Sequence, residues 1–150
     1  MQSRYEQFAS SISSIYHSIQ KIEKAEMVRY GTKGIFAQYL AALLGHPEGM
    51  TAAQLSDVCD KDKAAVSRAV ADMEQEGLLT RESRDDNRYR ALLRLTEAGE
   101  KAARYVACQA QKAVDAGGEG LDDQERAKLQ EALALIAQNL EKISRGGMDA

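Results

Sequence analysis

The sequence has no tryptophan, one proline, two cysteines and two histidines, and each shortage narrows the chemistry open to it. Cys59 and Cys108 show no Cys-x-x-Cys spacing and have no histidine cluster nearby, so no zinc ribbon or dithiol motif is expected. They fit either small buried residues in a reducing compartment or a redox switch. His17 and His46 are isolated, whereas a metal sensor wants a His/Cys/Glu cluster. The glycines at 117 to 120 precede no P-loop lysine, and no acid/base pair can be named. No catalytic residue, metal or cofactor is therefore expected. No apolar run approaches the ~20 residues of a membrane span. The start, MQSRYEQFASS, lacks the apolar core of a signal peptide, which makes a cytoplasmic location the expectation. No internal repeat or low-complexity linker is present. One hundred and fifty residues, 44% of them hydrophobic, suffice for one domain, with or without helical extensions, and a core that needs no disulfide.

What is present centres on residues 51 to 96. Thr51 is a good helix N-cap, with Gln54 three residues on to complete a capping box. A short helix to about Cys59 is expected to bury Leu55 and Val58. Asp60-Lys61-Asp62-Lys63 makes a tight turn, and Asp62 can cap a second helix to about Glu76. On it Val66, Val70 and Met73 form an apolar face. The opposite face carries Lys63, Ser67 and Arg68 among small alanines. Gly77 can supply the left-handed residue that stops the helix. Leu78 to Glu82 and Tyr89 to Leu95 have strand character. In the second, Tyr89, Ala91, Leu93 and Leu95 alternate with Arg90, Leu92 and Arg94. A charged tip, residues 83 to 88, lies between them. Helix, turn, helix and a two-stranded hairpin make a winged helix-turn-helix, whose second helix fits the DNA major groove.

At this point the chain resembles the MarR-type (multiple antibiotic resistance regulator) transcription factors. The carrying residues are Ala65-Val66-Ser67-Arg68, then Glu74-Gln75-Glu76-Gly77-Leu78-Leu79-Thr80-Arg81, then Leu95-Thr96-Glu97-Ala98-Gly99. The resemblance covers residues 32 to 105 by motif and the whole chain by element order. Family wings carry Asp-x-Arg before the Leu-Thr. Asp86-Asn87-Arg88 matches, one residue farther from Leu95-Thr96 than the family spacing, which opens a share of that role to Arg90. Some relatives sense peroxide through a cysteine in the first helix, and this chain has none there.

The flanks are helical. Residues 4 to 28 carry Tyr5, Phe8, Ile12, Ile15, Ile19 and Ile22 at heptad spacing. Thr32 can cap a helix from Lys33 to about Leu44, with Ile35, Tyr39, Leu40, Leu43 and Leu44 on its apolar face. A breaker-rich turn, 45 to 49, follows, and Met50-Thr51 can extend beside the wing. Thr96 caps an alanine-rich helix to about Asp115. Asp122 and Glu125 form a capping box for the last helix, whose Leu129, Leu133, Ile136, Leu140 and Ile143 make a second heptad seam. The expected architecture is mainly α with a minor β part. A dimerisation helix occupies residues 1–30, a winged helix-turn-helix DNA-binding domain residues 31–100, and dimerisation helices residues 101–150. One chain could pair its own two seams. A two-fold homodimer using Tyr5, Phe8, Ile12, Leu133, Ile136, Leu140 and Ile143 is the better use, and it implies a pseudo-palindromic double-stranded DNA operator with half-sites ~34–36 Å apart.

Within that frame Ser67 and Arg68 are the candidate base contacts, the arginine by bidentate bonds to guanine. The rival for Arg68 is a solvated pair with Asp72 one helical turn on. Lys61 and Lys63 suit phosphates, and Ala64 and Ala65 suit thymine methyls. Arg84 and Arg88 are candidates for the minor groove. Pairing with Asp86 is an equal alternative for Arg88, and Arg90 and Arg94 also fit a solvated strand face. The segment Asp60 to Leu95 is electrically neutral, within a chain of net charge -3. Four of its acids, Asp72, Glu74, Glu76 and Glu82, lie toward the helix end and the wing base. The resemblance further implies a repressor with a small phenolic or lipophilic effector, for which Ile15, His17, Ile19, Tyr39 and Tyr105 are the candidate pocket. The alternatives are a helical module whose winged helix binds protein, which the acidic charge favours, and a cysteine-based redox-responsive regulator.

Overall fold

Helix α1 (Arg4–Tyr30) starts in a capping box: Ser3 Oγ accepts from Glu6 N at 3.0 Å, and Glu6 Oε2 accepts from Ser3 N at 2.6 Å. It ends at Gly31, where φ is +117° and the amides of Gly31 and Thr32 both donate to Met27 O. The computed structural model describes residues 1–83 and 90–148. These form two compact units, Met1–Val114 and Asp115–Ala150.

In the first unit a 3-10 turn (Gly34–Phe36) leads into α2 (Ala37–Leu44). Thr32 does not cap this helix. Its amide is used in closing α1, and its hydroxyl donates to Glu76 Oε2 at 2.5 Å. The expected apolar face also needs correction, since Ile35 is 54% exposed. It falls in the 3-10 turn, whose tighter winding rotates it off the face that carries Phe36, Leu40 and Leu43.

Helix α3 (Ala52–Cys59) has the Thr51–Gln54 capping box. Leu55 is buried, but Val58 is 58% exposed, against expectation. In so short a helix Cys59, one turn beyond Leu55, takes the inward place, its Sγ 3.7 Å from Gln38 O. The turn that follows is held by Ser56: its carbonyl accepts from Lys61 N at 3.1 Å and its hydroxyl donates to Lys61 O at 2.5 Å. Asp60 sits in the left-handed region at φ 51°. Asp62 then caps α4 (Lys63–Gln75) by accepting from Ala65 N.

Helix α4 buries Val66, Ala69, Val70 and Met73. It stops in a complete Schellman motif, with Gly77 at φ +76°, Gly77 N donating to Glu74 O and Leu78 N to Met73 O. Strands β1 (Leu79–Glu82) and β2 (Leu92–Leu95) pair antiparallel, Leu79 opposite Leu95 and Glu82 opposite Leu92. Met50 adds a single bridge to Leu93, which is the extent of the third strand. Helix α5 (Glu97–Gly117) starts beneath Thr96, whose Oγ1 accepts from Gly99 N and donates to Gly77 O. One cluster joins Met27, Phe36, Leu40, Leu55, Val66, Met73, Leu93, Ala102 and Val106. Each fully buried large side chain in it stabilises by about 1.5–3 kcal/mol.

In the second unit α6 (Asp123–Gly146) has the expected capping box between Asp122 and Glu125. Arg126 closes the preceding turn by donating to Gly118 O and Leu121 O. No residue of α6 is buried.

Candidate nucleic-acid interface

Helix α4 has two faces with opposite tasks. Val66, Ala69, Val70 and Met73 fix it in the core, and this turns Lys63, Ala64, Ser67 and Arg68 outward, all exposed, with Ala65 half-buried. Lys61 is exposed in the turn ahead of it. The start of α4, where Asp62 accepts from Ala65 N, adds the partial positive charge of a helix N-terminus beside those two lysines.

The four acids toward the helix end and the wing base are each engaged. Asp72 Oδ2 lies 3.0 Å from Lys33 Nζ, Glu74 Oε2 3.4 Å from Arg81 Nε, and Glu82 Oε2 3.0 Å from Arg94 Nη1. Glu76 accepts from the Thr32 hydroxyl. Among the described residues Lys61, Lys63, Arg68 and Arg90 form no ion pair. Among the described residues a separation therefore lies within the neutral segment: Asp72, Glu74, Glu76 and Glu82 are occupied by partners, while Lys61, Lys63, Arg68 and Arg90 form no ion pair. Arg68 in particular is not paired with Asp72.

The wing contributes unevenly. Arg90 is exposed. Arg94 is a brace, donating to Glu48 O at 3.2 Å as well as pairing with Glu82. Arg84 and Arg88, with Asp86, lie outside the described residues. Sequence reasoning missed Lys33 and Thr32 as partners of α4, because contacts 39 and 44 residues apart leave no local pattern.

Tyr39 is buried close to the helix-turn-helix. Its hydroxyl is pushed up by burial and by the negative fields of Cys59 and Asp62, with Arg68 opposing. Burial also pushes the Cys59 thiol up, against the pull of Lys61. Burial thus disfavours the thiolate, the form that reacts with oxidants. Cys108 is exposed.

The candidate pocket residues occupy different surroundings. Tyr105 donates to Glu26 Oε2 at 3.1 Å and packs against Tyr30, ring centres 5.1 Å apart. His17 is exposed, its Nδ1 3.3 Å from Ser13 Oγ, and nine residues of α1 separate it from Glu26, about 14 Å along the axis. Ile15 is exposed and Ile19 half-buried. An open cavity of ≈ 380 Å³ lies elsewhere, lined by His46, Glu48, Gly49, Met50, Gln54, Val58 and Leu92, and includes none of these five. Among the described residues no three His, Cys, Asp or Glu side chains gather as a metal site. No described helix is long and apolar enough to cross a membrane.

The apolar seams are open. Tyr5, Phe8 and Ile12 on α1 and Leu133, Leu140 and Ile143 on α6 are all exposed, and Ile136 is half-buried.

A mainly helical chain with a two-stranded wing and long terminal helices is a winged helix-turn-helix protein. Residues 30–88 match the model of the MarR family. The chain as a whole has the fold of MarR-family transcriptional regulators. A MarR regulator from Methanosarcina mazei Go1 superposes with a TM-score of 0.81 at 23% identity, covering 95% of this chain and 94% of that one. A MarR family regulator from Listeria monocytogenes, complexed with a 26-mer DNA, gives 0.76 at 20% identity over 98% and 97%. A MarR family protein from Bacillus stearothermophilus gives 0.76 at 21% over 94% and 99%. Among curated protein sequences there is no match.

Proposed function

We propose that this chain is a DNA-binding transcription regulator that places α4 in the major groove. The observation that carries the reading is the outward face of α4: Ser67 and Arg68 are exposed, Arg68 has no ion-pair partner among the described residues, and Asp72 one turn on is occupied by Lys33. Arg68 and Ser67 read bases, Lys61 and Lys63 hold phosphates, Ala64 and Ala65 allow close approach, and Arg84, Arg88 and Arg90 serve the wing. The DNA complex of the Listeria relative supports this assignment through the shared fold.

The protein acts as a cytoplasmic homodimer on a pseudo-palindromic operator. Exposed seams on α1 and α6 support the dimer, because large apolar stripes on long helices signal an interface. By resemblance it represses, and a small apolar effector modulates it. Tyr105, with its hydroxyl on Glu26, is the candidate pocket residue with a defined polar handle. The test is a mobility-shift titration on the DNA upstream of its own gene. Retention that is site-specific, salt-sensitive and lost in Arg68→Ala supports the regulator. Salt-insensitive or absent retention, together with stable binding to a protein partner, supports the interaction-module alternative instead.

A further inference from the structure

Lys33 and Asp72 come from distant parts of the chain. Lys33 precedes the 3-10 turn after α1, and Asp72 lies on α4 one helical turn beyond Arg68. Lys33 Nζ sits 3.0 Å from Asp72 Oδ2 and 5.8 Å from the centre of the Phe36 ring, which is fully buried. The ammonium is thus held between a fixed aromatic ring and the carboxylate. Spacing on a helix makes Asp72 the natural partner of Arg68, since residues four apart are neighbours. In this structure the carboxylate is occupied by Lys33, and Arg68 has no ion-pair partner among the described residues.

We infer that Lys33 is a positioning residue for DNA recognition: by occupying Asp72 it keeps the Arg68 guanidinium unpaired and able to reach a base. The inference rests on the reading of Arg68 as a DNA contact. It concerns competition for one carboxylate, and Lys33 itself touches no DNA. Without Lys33, Asp72 turns to Arg68, and DNA must break that pair before it can bind. A partly exposed pair of this kind changes affinity several-fold, within the ~0.3–1 kcal/mol range of such contacts.

The experiment uses fluorescence anisotropy with a labelled duplex selected from a randomised library by the wild-type protein. Wild type, Lys33→Met, Asp72→Asn and the double variant are titrated, with Arg68→Ala as a fifth protein and thermal melts to confirm folding. Lys33→Met is expected to weaken binding about two- to fivefold. Asp72→Asn binds at least as tightly as wild type, and in its background Lys33→Met has no further effect. That non-additivity identifies competition. An equal loss from Lys33→Met in both backgrounds overturns the inference, because Lys33 then acts through its own charge. Equal weakening in both single variants and the double also overturns it, because the pair is then only a structural clasp. Wild-type affinity in Lys33→Met overturns it directly. If Arg68→Ala binds as wild type does, the Arg68 reading itself has failed and takes the inference with it, a result separable from the others because it does not involve Lys33 or Asp72.

Discussion

A β-carbon placed on Gly99 would lie 1.9 Å from the carbonyl oxygen of Leu78. That oxygen accepts from Thr96 N at 3.0 Å, so it is fixed where β1 begins and α5 starts. Neither side can retreat cheaply, because both are backbone in the core. Gly99→Ala is therefore expected to cost about 3 kcal/mol, at the upper end of overpacking effects. Urea denaturation measures it as a lower midpoint with unchanged slope. Gly77→Ala acts by another route, the strain of φ +76°, and its effect is expected to be smaller, about 1–2 kcal/mol.

Arg68→Ala is expected to reduce operator affinity by about 1–3 kcal/mol and to relax preference at one base position. Lys61→Ala lowers affinity for all sequences alike and reduces the salt slope by about one. Anisotropy titrations at several salt concentrations against matched and mismatched duplexes separate the two. Both side chains are exposed and form no ion pair among the described residues, so neither change should move the melting temperature.

Much of this architecture is legible in short-range chemistry. The capping boxes at Thr51 and Asp122, the cap at Asp62 and the glycine stop at Gly77 each follow from side-chain and backbone groups within a few residues. Ser3-x-x-Glu6 is the same signal at the start of α1. The misjudged positions are those where periodicity competes with a tertiary demand. Val58 and Ile35 have the right spacing for a buried face, yet a short helix and a 3-10 turn rotate them outward. The cation-bearing face of α4 was visible in the sequence. What frees it was not, because each acid is held by a residue from another element.

In the proposed homodimer, charge on the terminal seams should dissociate the chains. Ile12→Glu on α1 and Leu140→Glu on α6 each place a carboxylate on an exposed apolar stripe. Sedimentation equilibrium is expected to show a shift from dimer to monomer, with weakened operator binding as a consequence. The winged-helix core, in which neither residue is buried, should keep its fold.

Alkaline pH should weaken the helix-turn-helix. Tyr39 and Cys59 ionise above their ordinary values of 10.0 and 9.0, because burial disfavours the charged form. The unfolded chain then loses these protons first. Their contribution is complete below those ordinary values and disappears as pH rises through the raised ones. Tyr39→Phe is expected to flatten the fall of melting temperature from about pH 10 upward, leaving the part that Cys59 contributes from about pH 9. A profile that is unchanged in the variant would sink this assignment.

The engagement of Asp72, Glu74, Glu76 and Glu82 bears on how the protein responds to ions. Their partners are mostly half-exposed, and such pairs loosen as electrolyte rises. Added salt then does two things together: it screens the attraction between cations and phosphates, and it returns carboxylates to the face where the phosphates approach. Affinity should decline with ionic strength more steeply than the number of lysine and arginine contacts alone dictates, and a contact count taken from that slope will come out too high.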